Sequence, residues 1–185
     1  MLQHLNIESV ASTDGGPTLR VVFAWSNDRW AHEIHLVRAS ETIVIARSME
    51  GDASHDWPPS PPIQELMEHE VEKRPVLLGV GMAGKNHWSL SAELEAGQSV
   101  RFDVACRVTE PTPGWLGTTY KIEDHVSVES TSDCEMRLES DGEIIEFATS
   151  DQNATMAFSA QERIITLSPP NSSDSPRWRY NVDRV

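Results

Sequence analysis

The sequence predicts an all-β fold: an antiparallel β-sandwich of about 10–12 short strands, with an up-and-down β-barrel as the alternative. Three observations carry this. Apolar residues recur at every second position along most of the chain, the period of a strand with one buried face. Neighbouring runs match as hairpins without a slip, and matched apolar faces are what set strand register. Turn residues separate the runs at short intervals. The consecutive hairpins argue for a barrel, and two long proline-containing connections argue for crossings between stacked sheets.

A first strand is expected over residues 4–10. Leu19, Val21, Phe23 and Trp25 share a face of the second, and Trp30, Ile34 and Leu36 share a face of the third. Ser26-Asn27-Asp28-Arg29 joins them as a four-residue loop, which pairs Trp25 with Trp30, Val21 with Ile34 and Leu19 with Leu36. His32 then falls opposite Phe23 on the apolar face, as a hydrogen-bonded core histidine. His35, three residues on, points to the opposite face, so the pair does not form a metal site.

After a strand at 42–47 the rhythm breaks. Residues 48–74 contain Trp57-Pro58-Pro59-Ser60-Pro61-Pro62, where the prolines hold extended backbone. Ser60 is placed to cap one short helical segment near residues 62–70.

A strand at 75–80 leads into Gly79-Val80-Gly81-Met82-Ala83-Gly84, with Lys85 next. The letters are G-x-G-x-x-G, and Asp103 lies near the spacing of a ribose-binding acid. A dinucleotide site needs a helix after the glycines, with its N-terminus on the pyrophosphate. Residues 86–94 have the period of a strand instead: Trp88, Leu90, Ala92 and Leu94 alternate with polar residues. They match Cys106, Val104, Phe102 and Val100 of the next run. The same register sets Glu93 opposite Arg101, an opposite-charge pair not used to choose it. A phosphate-binding P-loop also fails, because Asn86 stands where Ser or Thr is required. The glycine string is therefore read as a tight loop between strands, and no cofactor is expected.

His87 opens the strand after the glycines, on the polar face opposite Arg107. Ser89, Ser91 and Asp103 share that face, so a Ser–His–Asp grouping can be drawn. All of them lie on one flat hairpin with no nucleophile elbow, and a solvated sheet face is the expected reading.

Residues 109–116, with Pro111, Pro113 and Gly114, form the second long connection. Strands are expected at 117–122 and 126–130. A hairpin turns at Asp141-Gly142, pairing Leu138 with Ile145, Met136 with Phe147 and Arg137 with Glu146. Strands at 155–159, 163–168 and 177–182 complete the set, with a loop at 169–176 before the last.

Three segments carry a resemblance. Ser60-Pro61-Pro62-Ile63-Gln64 is the first. The second is Gly81-Met82-Ala83-Gly84 running into His87-Trp88-Ser89-Leu90-Ser91. The third is Phe102-Asp103-Val104-Ala105-Cys106-Arg107 through Leu116-Gly117-Thr118-Thr119-Tyr120. Together they resemble an uncharacterised family of β-rich planctomycete bacterial proteins. The resemblance covers residues 60 to 120 and implies a bacterial origin, with no activity or catalytic residue attached.

The 185 residues fit one all-β domain over 1–185. Twenty-nine acidic against fifteen basic side chains give a net charge of −14, which disfavours nucleic acid and anionic membrane surfaces. Residues 1–16 contain no Lys or Arg and no long apolar run, so no signal peptide is expected and a cytoplasmic address is the default. Cys106 and Cys134 both fall on expected core faces as free thiols. Of six tryptophans, Trp25, Trp30 and Trp88 read as core, while Trp57, Trp115 and Trp178 lie near prolines or charges and read as caps on the open ends of the fold.

No catalytic signature assembles, and catalysis is not expected. The function read from the sequence is a non-catalytic binding or protein-interaction domain. The alternative is a small-molecule binder or enzyme with a pocket between the 79–88 loop and the 55–64 loop. The candidate ligand-binding residues are Trp57, Gly81, Gly84, Lys85, His87 and Asp103, and no metal ligand is named.

Overall fold

In the computed structural model, residues 4–9, 15–95, 99–109, 114–170 and 175–185 are described. Fifteen strands run in order: β1 (His4–Glu8), β2 (Thr18–Ser26), β3 (Arg29–Arg38), β4 (Glu41–Ser48), β5 (Glu65–Val71), β6 (Arg74–Ala83), β7 (Asn86–Leu94), β8 (Ser99–Arg107), β9 (Thr118–Ile122), β10 (Ser127–Ser132), β11 (Glu135–Ser140), β12 (Glu143–Ala148), β13 (Thr155–Ser159), β14 (Ile164–Ser168) and β15 (Arg177–Arg184). They form two antiparallel sheets, ordered β1-β2-β3-β4-β9-β14-β13 and β10-β11-β12-β15-β8-β7-β6-β5. Neither sheet closes on itself, so the fold is a sandwich and the barrel alternative falls.

The hairpin registers follow from the alternation. Trp25 pairs with Trp30 and Leu19 with Leu36, across a turn tighter than expected, since Ser26 pairs with Arg29 and Asn27 takes a positive φ of 59°. Trp88 pairs with Cys106, Leu94 with Val100, and Glu93 with Arg101 as an ion pair. Leu138 pairs with Ile145 across Asp141-Gly142, both with positive φ as a type I′ turn requires. The expected strand at 4–10 ends at Glu8, and its last residue lies outside the described residues.

The inner faces of both sheets merge in one core that includes Phe23, Ile34, Phe102, Tyr120, Phe147, Trp178 and Tyr180. Phe102 stacks on Tyr180 with ring centroids 4.9 Å apart. Trp178 departs from the sequence expectation. It is fully buried between the sheets, donating Nε1–H to Thr118 Oγ1 at 2.9 Å, and caps nothing. Cys106 is a buried free thiol, but Cys134 sits half-buried in the turn between β10 and β11, away from any core face.

The helical segment expected near 62–70 is absent: these residues enter β5, paired with β6 from Glu65–Val80 to Val71–Arg74. Ser60 caps no helix because its side chain is occupied elsewhere. Its buried hydroxyl donates to the Thr119 carbonyl and accepts the Thr119 N–H at 3.1 Å, tying the segment to β9. The strand between 75 and 80 is longer than expected and absorbs most of the glycine string. Only Gly84 and Lys85 lie outside β6 and β7, forming the turn between them, with Gly84 at φ +55°.

The crossing from β4 to β5 explains the glycines. Residues 60–64 bridge the two sheets: the Trp30 N–H of β3 donates to the Ile63 carbonyl at 2.7 Å, and the Gln64 N–H donates to the Val80 carbonyl of β6 at 3.0 Å. The segment lies directly over the inner face of β6. A Cβ on Gly81 would fall well inside contact distance of the Pro62 carbonyl oxygen, and one on Gly79 would come 2.7 Å from Ile63 Cγ2. Glycine is needed at Gly81 for the close approach of the Pro62 backbone.

Candidate functional site

Strand alternation sends successive residues of β6 to opposite faces. Gly79, Gly81 and Ala83 face inward under the crossing segment. Leu78, Val80 and Met82 face outward, and Val80 and Met82 are 49% and 46% exposed. Met67 of β5, in register with Leu78, is 55% exposed. Large apolar side chains thus gather on the outer face of β5 and β6 at one edge of the second sheet, and exposed apolar patches of this kind can serve as contact surfaces.

The strand registers arrange this face in rows. One row runs Glu65, Val80, Ser89 and Ala105; the next runs Met82, His87 and Arg107. The Gln64 side chain closes the end of the second row by pairing both ways with Met82: its Nε2 donates to the Met82 carbonyl at 2.9 Å and its Oε1 accepts the Met82 N–H at 2.8 Å. Between these rows lies an open groove of about 500 Å³, with Ser175 at its margin. That volume is in the range of small-ligand sites.

The six candidate residues divide. Gly81 and His87 line this groove. Gly84 and Lys85 form the adjoining β6–β7 turn, with Asp56 beside Gly84. Trp57 lies on the other side of the sheet, edge-on against Trp88 with centroids 6.3 Å apart and against Gly114. Asp103 faces outward but is held by Arg177, whose Nε donates at 2.6 Å, and by Arg179 at 2.9 Å. Asp103 pairs across from Ser91, four residues along β7 from His87 and so about 13 Å away. The Ser–His–Asp grouping therefore does not assemble. The Pro62 backbone packs against Gly81, and the groove beside this contact is lined by Gln64 from the 55–64 segment and by Val80, Gly81, Met82 and His87 from the 79–88 segment.

No protein-family model matches this chain, and no curated protein matches it.

A second polar arrangement lies between the sheets, where only His32 was expected from the sequence. His32, stacked between Phe23 and Phe102, shares a 2.6 Å hydrogen bond from Nε2 with the Tyr120 hydroxyl, which is 2.7 Å from the Tyr180 hydroxyl. Burial pushes the His32 imidazole down to about 3, so it is neutral at physiological pH. Burial raises both tyrosines above their usual range. Nearby, burial pushes the Glu50 carboxyl up to about 8 against the opposing pull of Ser48 and Arg29, and its Oε1 has no hydrogen-bond partner among the described residues. These groups are all in their neutral forms at pH 7. The hydrogen bonds among His32, Tyr120 and Tyr180 join the two sheets. Among the described residues, no group of three or more His, Cys, Asp or Glu side chains is placed to hold a metal ion. No helix is long and apolar enough to cross a membrane.

Sequence reasoning missed Gln64, Val80, Met82 and Arg107 as groove residues. A signal was present: Val76-Leu77-Leu78-Gly79-Val80-Gly81-Met82-Ala83 is apolar on both strand faces. In an antiparallel sheet with one solvated face, a strand that reads so places apolar side chains on its exposed side.

Proposed function

We propose that this chain is a non-catalytic binding module whose contact surface is the outer face of β5–β8. The observation that carries the reading is the exposed apolar row Leu78, Val80 and Met82, flanked by Met67 and bordering the groove. Truncating those side chains removes apolar surface that the free protein leaves in water, so the fold tolerates it while binding does not. The test is the double variant Val80→Ser with Met82→Ser, read with an environment-sensitive apolar dye such as bis-ANS. The reading expects a several-fold loss of dye fluorescence with an unchanged melting temperature. Equal fluorescence from variant and parent sinks it.

The groove supports a second reading, in which the bound species is a small molecule held on this same face. Its volume is what favours it. The groove borders both the 55–64 segment, through Gln64, and the 79–88 segment, through Val80, Met82 and His87. The free thiols of Cys106 and Cys134 are consistent with a reducing, cytoplasmic setting for either reading.

A further inference from the structure

Carboxylates outnumber basic side chains by 29 to 15 in this chain, so an arginine on its surface usually has an acid within reach. Nearly every arginine meets at least one: Arg101 pairs with Glu93 and Glu95, Arg177 and Arg179 share Asp103, and even the exposed Arg74 meets Glu72. The same holds for the arginines of the other strands and loops. Among the arginines of the described residues, Arg107 alone has no carboxylate partner, and Arg107 lines the groove.

Its neighbours there suit an anion. His87 stands directly opposite it in the β7–β8 register, and Gln64 and Ser175 add polar edges. From Arg107 the floor runs across His87 to Met82, with Val80 and Ala105 in the adjoining row, so an apolar wall begins one residue from the cation. Glu65 occupies the opposite corner. Three strand spacings and one two-residue step separate it from Arg107, about 14 Å across and 7 Å along. The groove is therefore polarised, with a cation at one corner, a carboxylate at the other and apolar surface between.

Resting on the reading of this face as a binding surface, we propose that the groove takes a monoanionic amphipath: a carboxylate seated on the Arg107 guanidinium, with an apolar body lying over Met82 and Val80. A guanidinium matches a carboxylate through two parallel N–H donors, and here no protein acid competes for them. Glu65 disfavours a second anionic end. Such a carboxylate belongs either to a short aliphatic acid or to the free C-terminus of an apolar peptide.

Isothermal titration calorimetry of the full chain separates these possibilities. The probes are octanoate, 1-octanol, octyltrimethylammonium, the dicarboxylate suberate, and an acetylated Val-Leu-Ile-Val peptide with a free or an amidated C-terminus. The proposal expects octanoate to bind at least tenfold tighter than octanol and octyltrimethylammonium. Arg107→Gln should abolish that preference and Arg107→Lys restore part of it. Suberate should bind more weakly than octanoate, and Glu65→Gln should narrow the gap. A free-acid peptide that binds tighter than both its amide and octanoate identifies a chain terminus as the source of the carboxylate, and the reverse order identifies a small acid. Equal binding of octanoate and octanol, unchanged by Arg107→Gln, overturns the anion seat while leaving the apolar face intact. No binding of any probe, with the dye response of Val80 and Met82 retained, also overturns it. Loss of that dye response as well removes the binding-face reading on which it rests.

Discussion

The two faces of β6 invert the usual rule for a sheet. Its inward face at the crossing carries Gly79 and Gly81, where a core would normally place large side chains. Its outward face carries Leu78, Val80 and Met82, where solvent would favour polar ones. The inner face is bare because the Pro62–Ile63 backbone lies against it, supplying the packing that side chains would otherwise provide. The outer face has no such cover. Hydrophobicity therefore does not mark the buried side of this strand. Backbone approach decides the inner face, while the outer face leaves its apolar side chains exposed.

Substitutions on the two faces should differ sharply. Gly81→Val should have the largest effect, because its side chain has no space beside the Pro62 carbonyl and the crossing segment must move. A loss of about 3 kcal/mol or more, or failure to fold, is expected in urea denaturation. A loss under about 1 kcal/mol would mean that the crossing is looser than the structure places it, and the contrast between the faces would dissolve.

The inner side also holds the groups most sensitive to pH. The Glu50 carboxyl has a folded pKa of about 8, raised above its unfolded value of 4.5. The folded state therefore keeps a proton that the unfolded state has released. The associated stability is complete below pH 4.5 and is lost as pH rises toward 8. Glu50→Gln should remove this dependence, making the variant more stable than the parent by about 2–3 kcal/mol at pH 7, with the gap closing in acid. Parallel stability–pH curves for the two proteins would show the carboxyl to be hydrated after all.

His32 carries the opposite sign. Its folded pKa of about 3 lies below the unfolded 6.5, so the unfolded state gains the proton first and stability falls as pH drops through 6.5 toward 3. His32→Phe keeps the stacking on Phe23 and Phe102 and removes the titration. Thermal melts at pH 4.5 and 7 should show the parent losing about 2 kcal/mol more than the variant between them. An equal loss would place the imidazole in contact with water.

The smallest effect belongs to the outer face. Met82→Ser alone should change stability by no more than about 0.5 kcal/mol, because Met82 is already 46% exposed on the outer face. A clear loss in the isolated protein would show that Met82 packs against something within the chain, and the outer face would then be a second core.

Much of the fold was legible. The pairings Trp88–Cys106, Glu93–Arg101 and Leu138–Ile145 could be read from alternation, because one apolar face per strand leaves one register that buries it. The strand after the glycine string could be read too, since Trp88, Leu90, Ala92 and Leu94 alternate with polar residues. The strand β5 was hidden because Glu65-Leu66-Met67-Glu68-His69-Glu70-Val71 buries only Leu66. With one buried residue there is no period to find, and the pairing with β6 that makes it a strand is a property of its neighbour. The candidate site was half legible. His87 and Gly81 reach the groove, whereas Trp57 is turned to the far side of the sheet by the crossing, and Asp103 is claimed by arginines more than 70 residues away in sequence.

By itself, the sequence determined an acidic all-β chain, its hairpins and their registers, because those depend on residues close in sequence and on the two-residue period of a strand. Only the tertiary structure decided how the hairpins distribute between two sheets, why Gly81 must be glycine, and which arginine is left without an acid. Each of those depends on backbone and charges brought together from distant parts of the chain, and alternation along a strand carries no information about what lies across it.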